Sequence, residues 1–70
     1  MKISARNQLR GTVVSVTEGA VMAEVVVRLD AGGEIVSAIT AESARSLGLA
    51  PGKVVTAIIK STEVIVAVDD

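Results

Sequence analysis

The apolar positions of this 70-residue chain fall into five runs, separated by short polar or glycine-bearing stretches. The first, "LRGTVVSVT" at 9–17, alternates imperfectly and predicts a strand with Gly11 as a bulge. Glu18-Gly19 reads as a turn. "AVMAEVVVRL" at 20–29 predicts a second strand, apolar enough to be buried on both faces. "DAGG" at 30–33 is a hairpin connection, because glycine reaches the positive φ that tight turns need. "EIVSAIT" at 34–40 predicts a third strand.

The period then changes. "TAESARSLGLAPG" carries helix signals: Thr40 as N-cap, Glu42 in the first turn where the helix dipole favours an anion, and Gly48 as the residue just past the end. The capping box is incomplete, since position 43 is Ser rather than Glu or Gln. Ala44, Leu47 and Gly48 form one narrow apolar face. Pro51-Gly52 suits the centre of a type II turn. "KVVTAIIK" at 53–60 predicts a fourth strand, and "STEVIVAV" a fifth, with Ser61-Thr62 at the bend before it.

Three strands, one short helix, then two strands is the order of an OB-like fold. The expected class is all-β: a small five-stranded Greek-key barrel with one short helix between strands 3 and 4. A meander capped by one helix fits the same order. Without linker, repeat or low-complexity stretch, residues 1–70 read as a single domain.

Composition sharpens this picture. Half the residues are apolar, nearly all of them Val, Ala, Ile and Leu, with no aromatics. A chain this short buries only about 60% of the surface its unfolded form exposes. The surplus apolar surface therefore predicts burial between subunits. There is no Cys and no His, which removes thiolate chemistry, the commonest metal ligand and the commonest general base. The carboxylates fall in turns or at exposed positions, and Asp69-Asp70 reads as a charged tail. Neither an enzyme nor a protein–metal ligand set is expected. Seven Lys and Arg against eight acids, with no ring to stack on a base, argue against a nucleic-acid partner. No apolar stretch follows Lys2 as in a secretory signal, and no run approaches the roughly 18 apolar residues of a membrane span. A soluble, cytoplasmic protein without a membrane partner is expected.

Two polar clusters sit at strand boundaries: Ser4-Ala5-Arg6-Asn7 and Lys60-Ser61-Thr62. Both are rich in donors, since Arg offers a fixed fork of N–H groups, Lys a compact positive charge and Ser a hydroxyl. Thr40 is a third candidate, because a helix start presents free N–H groups. Each also has an ordinary reading: Ser4 in a turn, Arg6 paired with a surface carboxylate, Lys60 extended from a strand end, Thr40 as a cap alone.

"ISARNQLRGTVV", "SAIT", "SLGLAPG" and "IIKST" together resemble the molbindins, small molybdate-binding proteins related to the accessory domains of molybdate transporters and regulators. The resemblance covers essentially the whole chain. It implies an OB-like fold assembled as a homo-oligomer, a hexamer built from dimers, that stores molybdate or tungstate at subunit interfaces without a catalytic cofactor. It implies oxyanion contacts from Ser4, Arg6, Thr40, Lys60 and Ser61, with backbone N–H groups beside Ala5 and Ser61. Asn7 either orders the first motif or adds a contact. A second class of site is implied more weakly, in the turn of Glu18, Gly19, Ala20 and Val21. The alternative function is an oligomerisation or regulatory module that docks a partner protein, with oxyanion binding secondary.

Overall fold

In the computed structural model, which describes residues 1–69, four strands form one curled antiparallel sheet. They are β1 (Asn7–Glu18), β2 (Met22–Leu29), β3 (Glu34–Thr40) and β4 (Val54–Ile59), in the order β3-β2-β1-β4. A six-residue helix, α1 (Ala41–Ser46), lies between β3 and β4. The all-β class with one short helix after the third strand is thus the observed architecture.

β1 is the spine of the sheet. Its first half pairs with β4, from Asn7↔Ile59 to Thr12↔Val54, and its second half with β2, from Gly11↔Leu29 to Glu18↔Ala23. The register slips between Val13 and Ser15, so the bulge lies there and not at Gly11. Gly11 has a different task. It is buried where β1 is flanked by both neighbours, and a Cβ there would lie 2.4 Å from the Arg28 carbonyl oxygen and 2.7 Å from Val27 Cγ1. Only glycine permits that approach.

β2 alternates instead of burying both faces: Ala23, Val25 and Val27 are buried, while Glu24 and Arg28 are exposed. The sheet has one core face. Val13, Val25 and Val27 form the centre of that face, packed by Val16, Leu29, Ile35, Ile39, Leu49 and Val55.

The predicted punctuation operates as expected. Thr40 Oγ1 accepts from the Ser43 N–H at 3.1 Å, and in place of a capping glutamate the Ser43 hydroxyl accepts from Thr40 Oγ1 at 2.7 Å. The helix ends in a Schellman motif. Gly48 has φ +65°, its N–H donates to the Arg45 carbonyl, and the Leu49 N–H donates to the Ala44 carbonyl. Ala41 and Ala44 carry the buried face of α1, while Leu47 remains 61% exposed. The Pro51-Gly52 turn closes with a Lys53 N–H to Ala50 carbonyl bond. It is stitched to the bulge by Val13 N–H to Lys53 O and Gly52 N–H to Val13 O, each 2.9 Å.

The fifth run behaves differently. After β4, residues Ser61–Glu63 make one 3-10 turn, and residues 64–69 pair with no strand. Val64 is nonetheless extended, with φ −88° and ψ 120°. Ile65, Val66 and Val68 are 94%, 83% and 84% exposed. A strand needs a hydrogen-bonding neighbour, and residues 64–69 pair with neither free edge of the sheet, β3 or β4. Within one chain the barrel is therefore open. Its concave side is an apolar trough of about 790 Å³ between β3 and β4, lined among others by Ile35, Ile39, Leu47, Val55 and Ile59. Asp70, half of the expected acidic tail, lies outside the described residues.

Candidate oxyanion-binding site

The β1–β4 ladder brings the first and last polar clusters together. Its outermost rung is Asn7↔Ile59, so the next residues outward are Arg6 on one strand and Lys60 on the other. Ser4 lies in a bend just before, and Ser61 opens the 3-10 turn just after. Residues more than fifty positions apart in sequence thus share one end of the sheet.

Two side-chain amides shape this end. Asn7 Nδ2 donates to the Ile59 carbonyl oxygen at 3.2 Å, across the two strands. Gln8 Nε2 donates to the Ala5 carbonyl oxygen at 2.8 Å. A third carbonyl, that of Lys60, accepts from the Glu63 N–H at 2.9 Å. Three acceptors are thereby occupied by internal donors. Ala5 and Asn7 are half-buried, while Ser4, Arg6, Lys60 and Ser61 are exposed and free to meet a ligand.

The charges are distributed accordingly. Arg10 pairs with Asp30 at 3.8 Å, Arg28 with Glu34 at 3.8 Å, and Arg45 with Glu18 at 2.5 Å. Such exposed pairs add little stability, but they occupy their guanidinium groups. Among the described residues, Arg6 and Lys60 have no carboxylate partner. Arg6 is therefore not half of a surface pair among the described residues. These two cations, the Ser4 and Ser61 hydroxyls and nearby N–H groups make a donor-rich surface suited to an oxyanion.

Thr40 stands elsewhere. It pairs with Met22, beyond the far end of β1. The 12 residues of β1 separate the two ends by roughly 35 Å of strand. Its hydroxyl is already engaged with Ser43 as donor and acceptor. One chain therefore does not bring Thr40 to Ser4, Arg6 and Lys60. The Glu18–Val21 turn lies at the Thr40 end: the Gly19 N–H donates to the Met22 carbonyl and the Ala41 N–H to the Val21 carbonyl, both at 2.7 Å. The Glu18 carboxylate is taken by Arg45. Among the described residues no group of three or more acidic side chains stands close enough to hold a metal ion.

The sequence reading missed Gln8. A polar residue beside Asn7 carried no signal, because its role depends on the side chain folding back to a carbonyl three residues earlier. It also missed the Arg45–Glu18 pair, whose partners are 27 positions apart.

The TOBE domain family matches residues 3–66. This chain belongs to that family. Within it, the chain is similar to molybdenum-pterin-binding protein 3 of Clostridium pasteurianum, 48% identical over 66 residues that make up 94% of this chain and 97% of the relative. The fold is shared with a molybdate-binding protein from Sporomusa ovata, at TM-score 0.89 and 48% identity, over 96% of this chain and 98% of that one. It is also shared with ModG, described as a cytoplasmic molybdate-binding protein and solved with molybdate bound, at TM-score 0.84 and 54% identity, over 87% of this chain and 43% of ModG. The TOBE fold thus accounts for the strand order and the helix position together, as the resemblance to molbindins implied.

Proposed function

We propose that this protein binds molybdate, with tungstate as the near-equivalent ligand, and stores it in the cytoplasm without reacting on it. The observation that carries this reading is the meeting of Ser4, Ala5 and Arg6 with Lys60 and Ser61 at one sheet end, where neither cation has a carboxylate partner among the described residues. The molybdate-binding relatives support the choice of ion.

Charge and hydrogen bonding supply the mechanism. Molybdate at neutral pH is a tetrahedral dianion without protons, so all four oxygens accept. Arg6 and Lys60 match its two charges, and the hydroxyls and N–H groups complete a shell of donors. Hydrogen phosphate carries an O–H that needs an acceptor. Leaving it unpaired costs about 1–3 kcal/mol, or one to two decades in affinity. Separately, Asn7 donates one Nδ2–H to the Ile59 carbonyl oxygen, which ties the last cluster to the first. Sulfate carries no proton and is excluded only by size.

Self-association completes the reading. The open apolar trough and the exposed extended segment at 64–68 are complementary in chemistry: one lacks a strand, the other lacks a sheet. A second copy donating this segment satisfies both, and the hexamer built from dimers extends the same logic. Thr40 then enters the oxyanion site from a neighbouring chain, with its hydroxyl proton turned from Ser43 to the ligand. The Glu18–Val21 turn, near Thr40 in each chain, is the weaker candidate for a second site. The exposed 64–68 segment also fits the rival reading, a module that docks a different protein.

The test combines elemental analysis with light scattering. Purified protein is mixed with molybdate and desalted. Stoichiometric molybdenum in a discrete homo-oligomer is the expected result. Molybdenum at background removes the binding reading, and a monomer that assembles only with another protein replaces storage with docking.

A further inference from the structure

We propose that Gln8 is a positioning residue for the oxyanion site, and that it enforces the preference for anions without protons. The inference rests on the molybdate reading above and deepens it. Gln8 is anchored in β1 by its rung with Ile58, and its side chain turns back so that Nε2 holds the Ala5 carbonyl oxygen at 2.8 Å. The Ala5–Arg6 peptide is trans. In a trans peptide the carbonyl and the following N–H point in opposite directions. Fixing the Ala5 oxygen toward Gln8 therefore turns the Arg6 N–H the other way. Among the described residues that N–H makes no backbone hydrogen bond, since the ladder with β4 begins one residue later.

Two consequences follow for a ligand beside Ser4 and Arg6. It meets a donor at the Arg6 nitrogen, already oriented, so the cost of ordering that peptide on binding is reduced. It also does not meet the Ala5 oxygen, a backbone acceptor of this stretch that could satisfy an anion's O–H. With Gln8 removed, the Ala5–Arg6 peptide is free to rotate. The carbonyl can then face the ligand, where it repels a bare oxyanion and accepts from a protonated one. Gln8 thus acts through a peptide it touches, without contacting the ligand.

The experiment measures molybdate affinity by calorimetry, and inhibition by sulfate and by hydrogen phosphate in competition, for wild type, Gln8→Leu and Gln8→Asn. Leucine has no donor, and asparagine keeps an amide but is one methylene short. Circular dichroism and light scattering verify fold and assembly. The expected result is molybdate binding weakened about tenfold in both variants, the size of one well-placed hydrogen bond. Hydrogen phosphate should gain about tenfold relative to sulfate. Sulfate is the control, because it differs from hydrogen phosphate chiefly in lacking the proton. Equal weakening of sulfate and hydrogen phosphate, or no change in either, overturns the role of Gln8. Wild-type protein that binds no molybdate overturns the functional reading itself, a separate outcome.

Discussion

Asn7 and Ile59 are joined twice over: they face each other on the last rung of the β1–β4 ladder, and the Asn7 side-chain amide reaches the Ile59 carbonyl oxygen at 3.2 Å. This tie holds Arg6 against Lys60 at the point where regular pairing stops. Asn7→Leu keeps the size and removes the donor. It should lower stability by about 1 kcal/mol, the net value of one hydrogen bond. It should also weaken molybdate binding by a larger factor than its stability loss explains, because the ladder end frays where the ligand sits. Urea denaturation beside calorimetry checks this; a stability loss with unchanged affinity would assign Asn7 to the fold alone.

Arg6 is exposed and, among the described residues, without a carboxylate partner. Arg6→Ala should therefore leave thermal stability almost untouched. Molybdate affinity should fall at least tenfold, since hydrogen bonds to charged groups are worth about 1.5–3 kcal/mol. Unchanged affinity in a folded variant would remove Arg6 from the site.

Gly11 tolerates no side chain. An added methyl meets backbone at 2.4 Å and Val27 Cγ1 at 2.7 Å, and the backbone atom cannot yield as a flexible side chain would. Gly11→Ala should destabilise by about 1–3 kcal/mol or more, the cost of overpacking a close-packed region. The midpoint of chemical denaturation measures it, and a wild-type midpoint would contradict the observed strand approach.

The apolar segment at 64–68 should control assembly. Ile65 is 94% exposed in one chain, so Ile65→Asp places its charge in water as long as the chain is alone. Against the trough of a second copy the same charge would be desolvated, at a cost of several kcal/mol. Light scattering should show the oligomer dissociating while circular dichroism retains the sheet. An oligomer of unchanged mass would exclude this segment from the interface.

Thr40 separates two roles. Thr40→Ala removes the cap and should lower stability by about 1 kcal/mol, whereas Thr40→Ser restores the capping oxygen and the stability. If Thr40 reaches the oxyanion of a neighbouring chain, alanine also lowers affinity and serine restores it. Loss of stability without loss of affinity would leave Thr40 as a helix cap only.

Local chemistry made much of this protein readable from its sequence. The β3 bounds, the Thr40 cap, Gly48 at the helix end and the Pro51-Gly52 turn each depend on neighbours within a few residues, and each stands where the pattern placed it. The donor-rich nature of "SARN" and "KST" was equally legible, because residue type alone sets what a side chain can donate. What the sequence could not decide is everything that depends on which strand lies beside which. The β1–β4 register joined Arg6 to Lys60 and left Thr40 at the opposite end. The bulge lies at Val13–Ser15, and Gly11 serves instead the close approach where β1 is flanked on both sides. The fold-back of Gln8 onto Ala5 came from a bend. The fifth apolar run had the composition of a strand, but a strand is a relation between two segments, and one chain offers this one no neighbour.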